Sequence, residues 1–244
     1  MPINCTKVSR RWLVRGAGLA LLTGIMAAPR RSPAQSSSDF APRIPTQWFR
    51  TSGSGTSWDG IPPDPYETFS YDVALLAAGI EDFNVVPYTS VMPKECYGQE
   101  IPLAKVEPYF HPGSVLEVIM AKIGAEVNET DNPKVTLASG VGIVWAAEKS
   151  NPSDVRNGYA AEFEYNFEKP VPDQEANDFA VQQIQKSLQH ELDIRGLVQL
   201  QGSNIEQQVN VLQLAYADQK VRYGMSLSAF GFSRFTFPPP YGVE

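Results

Sequence analysis

Cysteine and histidine are almost absent. Two of each occur in 244 residues: Cys5, Cys96, His111 and His190. So few thiols and imidazoles argue against a zinc cluster, an iron–sulfur site or a disulfide framework. Basic charge is also short. Lys and Arg total 20 against 27 Asp and Glu, a net charge of −7, whereas a nucleic-acid binder needs a cationic face. A phosphate loop is missing, because the Gly/Ser stretch from Ser52 to Gly60 holds no Gly-Lys-Ser/Thr. Long disordered tracts are not expected either. The chain is 43% hydrophobic and 19% charged, enough to bury a core. Its length suits one large domain or two small ones, and no internal repeat or second domain is visible.

The charge is unevenly spread. Residues 1–34 hold Lys7, Arg10, Arg11, Arg15, Arg30 and Arg31 and no acid. The remainder has 14 bases against 27 acids, a net of −13. Ser9-Arg10-Arg11-Trp12-Leu13-Val14 has the form of a twin-arginine motif. An uncharged run from Gly16 to Pro29 follows, then the small residues Ser32-Pro33-Ala34. A positive end, a short apolar middle and a small-residue exit form the signal-peptide pattern. The run is too short to span a bilayer comfortably. The expectation is a signal peptide over 1–34, export by the twin-arginine machinery and a periplasmic product. Cys5 would leave with it. Cys96 would then be the one thiol, and without a His partner it is expected to pack rather than react. Residues 35–48 read as a flexible lead-in, and 49–244 as a single domain.

The periodicity of that domain is mixed. Pro65 to Ala78 predicts a helix, with Phe69, Val73 and Leu76 at helical spacing and Gly79 as its stop. Asp173 to Leu192 predicts a longer one, with Ala176, Ala180, Ile184, Leu188 and Leu192 in one stripe. Strands are expected near 83–88, 114–123, 140–147, 159–167, 207–217 and 223–232. In Tyr159 to Phe167, Glu162 and Glu164 share one face, and Ala161, Phe163 and Tyr165 the other. Gly140-Val141-Gly142 lies inside a strand run, where close backbone packing explains it. Strands outnumber helices without a βαβ rhythm, so the class is α+β with helices on a mostly antiparallel sheet.

Candidate chemistry is sparse on these grounds alone. His190, beside Glu191 on the long helix, reads as a surface or packing residue. Asn84 to Pro93 is a strand ending in the hydroxyl pair Thr89-Ser90, which by itself is a turn. The order of several segments says more. Glu67-Thr68-Phe69-Ser70-Tyr71-Asp72, Asn84, Thr89-Ser90-Val91-Met92-Pro93, Gly113 to Ala121, Gly140 to Trp145, Gly158-Tyr159-Ala160-Ala161-Glu162 and Lys186 to Leu192 follow one another along the chain. In that order the chain resembles the pyruvoyl-dependent arginine decarboxylases, the chlamydial type above all. Ser70-Tyr71-Asp72 is also similar to a segment of the pyruvoyl-dependent histidine decarboxylases.

The resemblance implies a proenzyme that cuts itself at Thr89–Ser90. The Ser90 hydroxyl would attack the Thr89 carbonyl to give an ester, and elimination with loss of ammonia would leave a pyruvoyl group. A small chain would end at Thr89 and a large chain begin at position 90. That group would be the cofactor, with neither PLP nor metal. It supplies the electron sink that decarboxylation needs and ordinary side chains lack. Glu162 would be the catalytic acid, its pKa raised by desolvation and by Glu164. Asn84 would hydrogen-bond the oxyanion or carbonyl, and Asp72 would receive the guanidinium of L-arginine. The products would be agmatine and CO2. The resemblance further implies a four-layer αββα fold and a trimer with sites between neighbours. The competing readings are the same chemistry on histidine, lysine or ornithine, and a non-catalytic exported binding protein. Members of this family lack such a leader and act inside the cell, so the export signal is a departure.

Overall fold

The computed structural model describes residues 43–58, 67–131 and 133–237. The expected signal peptide over 1–34 lies outside them, as do residues 35–42 of the lead-in. The architecture is α+β, dominated by strands in two sheets. In chain order the elements are β1 (Ile44–Trp58), α1 (Glu67–Ala77), β2 (Asn84–Pro87), β3 (Val91–Pro93), α2 (Leu103–Val106), β4 (Val115–Val127), β5 (Lys134–Glu148), β6 (Asn157–Asn166), α3 (Asp173–Ile194), β7 (Leu197–Gln199), β8 (Glu206–Ala215) and β9 (Arg222–Thr236). One sheet runs β1-β9-β4-β2, and the other runs β3-β6-β5-β7 with β8 also on β5. Every pairing is antiparallel except β2 with β4.

The long helix forms as its sequence dictates. Ala176, Ala180, Ile184, Leu188 and Leu192 are all buried, and Ile184, Leu188 and Leu192 pack on Val144, Ala146 and Ala161 of β5 and β6. Two glycines set the depth of that contact. A Cβ at Gly142 would stand 2.3 Å from Cγ2 of Ile184, and one at Gly140 would stand 2.7 Å from its Cδ1. The Gly-Val-Gly fragment is therefore a packing device.

Strand β1 differs from the expectation of a flexible lead-in over 35–48. It begins at Ile44 and continues to Trp58. Its small residues alternate. Thr51, Gly53, Gly55 and Ser57 are buried, and a Cβ at Gly55 would lie 2.0 Å from the Ser70 carbonyl oxygen of α1. Ser52 and Ser54 on the opposite face accept hydrogen bonds from Gln208 (2.9 Å) and Asn210 (2.7 Å) of β8. A residue without a side chain reads as loop in a sequence, yet here it lets a helix lie on a strand.

Helix α1 also turns a different face inward from the one its apolar spacing predicts. Ser70, Ala74 and Leu75 are buried, while Phe69 and Leu76 remain 43% and 59% exposed. The glycines beneath admit only small residues against the strand. Gly79, at φ +69°, ends the helix as expected. A second apolar cluster draws on both sheets. It contains Trp48, Ile119, Phe230 and Phe232 from one, and Met92, Val141, Ile143, Trp145 and Ala160 from the other.

Candidate active site

Only Tyr88, Thr89 and Ser90 separate β2 of one sheet from β3 of the other. Their backbone is held on both sides. The Tyr88 N–H donates to the Val118 carbonyl (2.6 Å), continuing the β2–β4 ladder, and the Ala160 N–H donates to the Ser90 carbonyl (2.8 Å). Between these anchors the Val91 N–H donates to the Thr89 carbonyl at 3.0 Å, closing a tight turn around Ser90. Thr89 is exposed and Ser90 half-buried.

Glu162 stands on β6 opposite Val141. The Ser90 side chain lies near enough to act on its carboxyl. Burial is the main cause of a carboxyl pKa above the ordinary range, and the charges of Glu164 and, less strongly, Glu191 push the same way. The backbone N–H of Glu162 and the Ser90 hydroxyl partly offset the rise. Glu162 is nonetheless exposed in the single chain, so the protein around its carboxyl desolvates it without closing over it. The like charge is fixed in place: Oε1 of Glu164 accepts the Lys122 N–H of β4 at 2.8 Å. The Lys122 ammonium lies 4.2 Å from the ring centre of Tyr71 on α1.

Two further expected site residues make no hydrogen bond to Ser90 or Glu162 within one chain. Asn84 opens β2, and its Nδ2 donates to the Gly113 carbonyl at 2.8 Å. Ser90 lies beyond the other end of that strand, and six residues of extended chain reach up to roughly 20 Å. Asp72 is exposed on α1. Among the described residues it makes no hydrogen bond or ion pair, and its charge acts on Tyr71, whose phenol pKa is raised first by burial and then by Asp72.

The remaining candidates are structural. Cys96 is fully buried, its Sγ donates to the Pro45 carbonyl, and burial pushes its thiol pKa up to about 12. That leaves no thiolate for nucleophilic attack. His111 faces the Pro112 carbonyl, and His190 is exposed on α3. Among the described residues no three His, Cys, Asp or Glu side chains gather as metal ligands. A cavity of about 660 Å3 lined by Phe83, Tyr109, Leu116 and Phe232 contains neither Ser90 nor Glu162.

One group at the site has no signal in the sequence. The Val91 N–H points at the carbonyl that Ser90 would attack, and every residue but proline carries such a group. A hydroxyl, a carboxyl and a donor to the carbonyl oxygen thus lie about one peptide bond, an arrangement that could serve acyl transfer.

Comparison with known proteins gives the same direction. The family model described as pyruvoyl-dependent arginine decarboxylase matches residues 47–237. The chain is 43% identical to the pyruvoyl-dependent arginine decarboxylase AaxB of Chlamydia caviae, over 84% of this chain and 99% of that protein. The corresponding protein of Chlamydia trachomatis serovar D is 42% identical over the same shares. A pyruvoyl-dependent arginine decarboxylase of Methanosarcina mazei is 26% identical, over 62% of this chain and 72% of the relative.

Proposed function

The chain belongs to the pyruvoyl-dependent arginine decarboxylase family, and we infer that it is a carboxy-lyase that converts L-arginine to agmatine and CO2. It does so on a pyruvoyl group that it makes from its own Ser90. The observation that carries the site assignment is the Thr89 carbonyl that already accepts the Val91 N–H at 3.0 Å, with the Ser90 side chain next to it acting on the Glu162 carboxyl.

In self-cleavage Glu162 takes the Ser90 proton as Oγ attacks the Thr89 carbonyl carbon. The Val91 N–H meets the negative charge that develops on the carbonyl oxygen. The Thr89–Ser90 C–N bond breaks and the peptide nitrogen takes a proton, leaving an ester. Removal of the Ser90 α-proton expels Thr89 as a carboxylate, and hydrolysis releases ammonia. The pyruvoyl carbonyl then supplies the electron sink for decarboxylation. Glu162, whose raised pKa favours the protonated form, returns a proton to the substrate α-carbon. On this reading neither PLP nor a metal is required.

Asn84 and Asp72 enter from a neighbouring copy in a trimer. Support comes from where apolar side chains stand uncovered. Val91 and Tyr165 beside the site are 52% and 44% exposed, as are Phe69 (43%) and Leu76 (59%) on the helix that bears Asp72. The arrangement as a four-layer αββα sandwich is supported by an apolar cluster under α1, one drawn from both sheets and one under α3. Export through a twin-arginine signal completes the proposal, resting on Arg10, Arg11 and the apolar run after them.

Intact mass of the denatured, purified protein tests the chemistry. The expected result is two chains split between Thr89 and Ser90, the larger one lighter by one ammonia than hydrolysis alone would leave it. A single chain with Ser90 intact overturns the assignment. The mass of the small chain also reports whether the leader is removed.

A further inference from the structure

We propose that Arg50, through Glu100 and Glu206, clamps the start of the large chain in position once the Thr89–Ser90 bond is cut, and is a positioning residue for the reaction. The proposal rests on the self-cleavage reading above.

After the cut the start of the large chain keeps the Ala160 N–H on the Ser90 carbonyl (2.8 Å) and the buried Met92 side chain. Strand β3 pairs with β6 through three residues only, Val91, Met92 and Pro93. The next restraint lies further along, where residues 96–101 dock on β1. The Trp48 Nε1–H donates to the Cys96 carbonyl (3.1 Å) and the Ile101 N–H to the Trp48 carbonyl (2.8 Å). Arg50 closes this dock. Its Nε and Nη2 donate to the two carboxylate oxygens of Glu100 at 2.5 and 2.6 Å. Nη2 also reaches Glu206 at 3.3 Å, and Nη1 donates to the Gln207 carbonyl at 3.0 Å. Trp145 fixes Glu206 from behind, its Nε1–H donating to Oε1 at 2.9 Å.

Arg50 lies before the cut, and the groups its guanidinium hydrogen-bonds, on Glu100, Glu206 and Gln207, lie after it. The β1–β9 ladder keeps the two chains together over most of its length but does not touch residues 91–101. Arg50 therefore restrains that segment where the ladder does not. The fork is bidentate and planar, a geometry that lysine cannot copy. The side chains of Arg50, Glu100 and Glu206 are only 32%, 33% and 25% exposed, so solvent screens them less than a surface pair. Without Arg50, two carboxylates would face each other, since the charge of Glu100 already adds to the burial that raises the Glu206 pKa.

The test uses Arg50→Met and Arg50→Lys, each in the wild-type chain and in the uncut Ser90→Ala chain. Hydrogen exchange of the amides from residue 94 to 101 is followed in all of them, and kcat and KM in the wild-type background. Arg50→Met is expected to speed exchange of that segment about tenfold, more in the cut chain than in the uncut one. It should lower kcat by about tenfold with less than a twofold change in KM, and Arg50→Lys should recover part of the loss. Ile184→Val, in the core under α3, controls for general loss of stability and should change neither segment exchange nor kcat. Unchanged exchange in both backgrounds overturns the clamp, as does an unchanged kcat in a cut enzyme. A wild-type chain that never cuts overturns the self-cleavage reading instead, and exchange in the Ser90→Ala pair still decides the clamp. Should Arg50→Met fail to accumulate, Glu100→Gln breaks the same fork from the other side and is read in the same way.

Discussion

The Val91 N–H donates to the Thr89 carbonyl at 3.0 Å in the three-residue link between the two sheets, and the Ser90 side chain between them acts on the Glu162 carboxyl of β6. On the proposed function this arrangement makes the turn a reaction centre, because it sets a weak nucleophile beside a carboxyl whose proton affinity has been increased. Its removal separates the two steps. Ser90→Ala should give one uncut chain with no decarboxylase activity and an unfolding midpoint within a degree or two of wild type. Glu162→Gln keeps the shape and loses the base. It should slow both self-cleavage and turnover by about 10²–10⁴-fold. Intact mass against time, and CO2 release by whatever fraction is cut, measure the two effects separately.

The raised pKa of Glu162, caused first by burial and then by Glu164, gives the two reactions opposite pH limbs. As the base for Ser90 it must be charged, so self-cleavage slows as pH falls through the raised value. As the proton donor in turnover it must be protonated, so turnover slows as pH rises through that value. Stability follows the second sign. A carboxyl that is easier to protonate folded than unfolded contributes stability that is fully present below the ordinary carboxylate range, and that contribution is lost as pH rises through the folded value. Rate profiles of cutting and of decarboxylation should therefore cross, and Glu162→Gln should flatten both limbs. Parallel profiles would remove Glu162 from one of the two roles.

Gly55 tests the contact that the sequence pattern concealed. A Cβ there meets the Ser70 carbonyl oxygen at 2.0 Å, and backbone can yield only by moving α1 off the strand. Gly55→Ala should cost about 1–3 kcal/mol in chemical denaturation, the range for overpacking. Ser54→Ala, on the other face of β1, loses the hydrogen bond from Asn210 and should cost about 1 kcal/mol. Equal costs would mean that α1 tolerates displacement at this point.

Legibility in the sequence divides along the same physical line. Helix α3 was readable because its five buried residues recur every fourth position, and the Glu162 face of β6 because its residues alternate. Strand β1 was not, since period-two glycine carries no hydrophobic signal, and β3 is too short for any pattern. The buried face of α1 was misread because close packing there selects Ser70 and Ala74 over Phe69 and Leu76. The Ser90–Glu162 pair was named only through family resemblance, because local periodicity does not report which distant strands meet. Asn84 and Asp72 came from the same source, and within one chain neither bonds Ser90 or Glu162.

That lack of bonds supplies the sharpest test of the proposed assembly. In a site shared between copies, Ser90 and Glu162 come from one chain and Asp72 from its neighbour. Asp72→Asn alone should raise KM for arginine by at least tenfold while self-cleavage proceeds, since the scissile bond and its base are untouched. Glu162→Gln alone should be nearly inactive. Unfolded together and refolded as mixed trimers, the two variants should recover activity, because about one site in four then combines an intact Glu162 with a neighbour's intact Asp72 in a cyclic assembly. Sites complete within one chain predict no recovery, as every chain in the mixture carries one of the two defects. Activity measured against the mixing ratio, with a maximum at equal amounts, distinguishes the two arrangements.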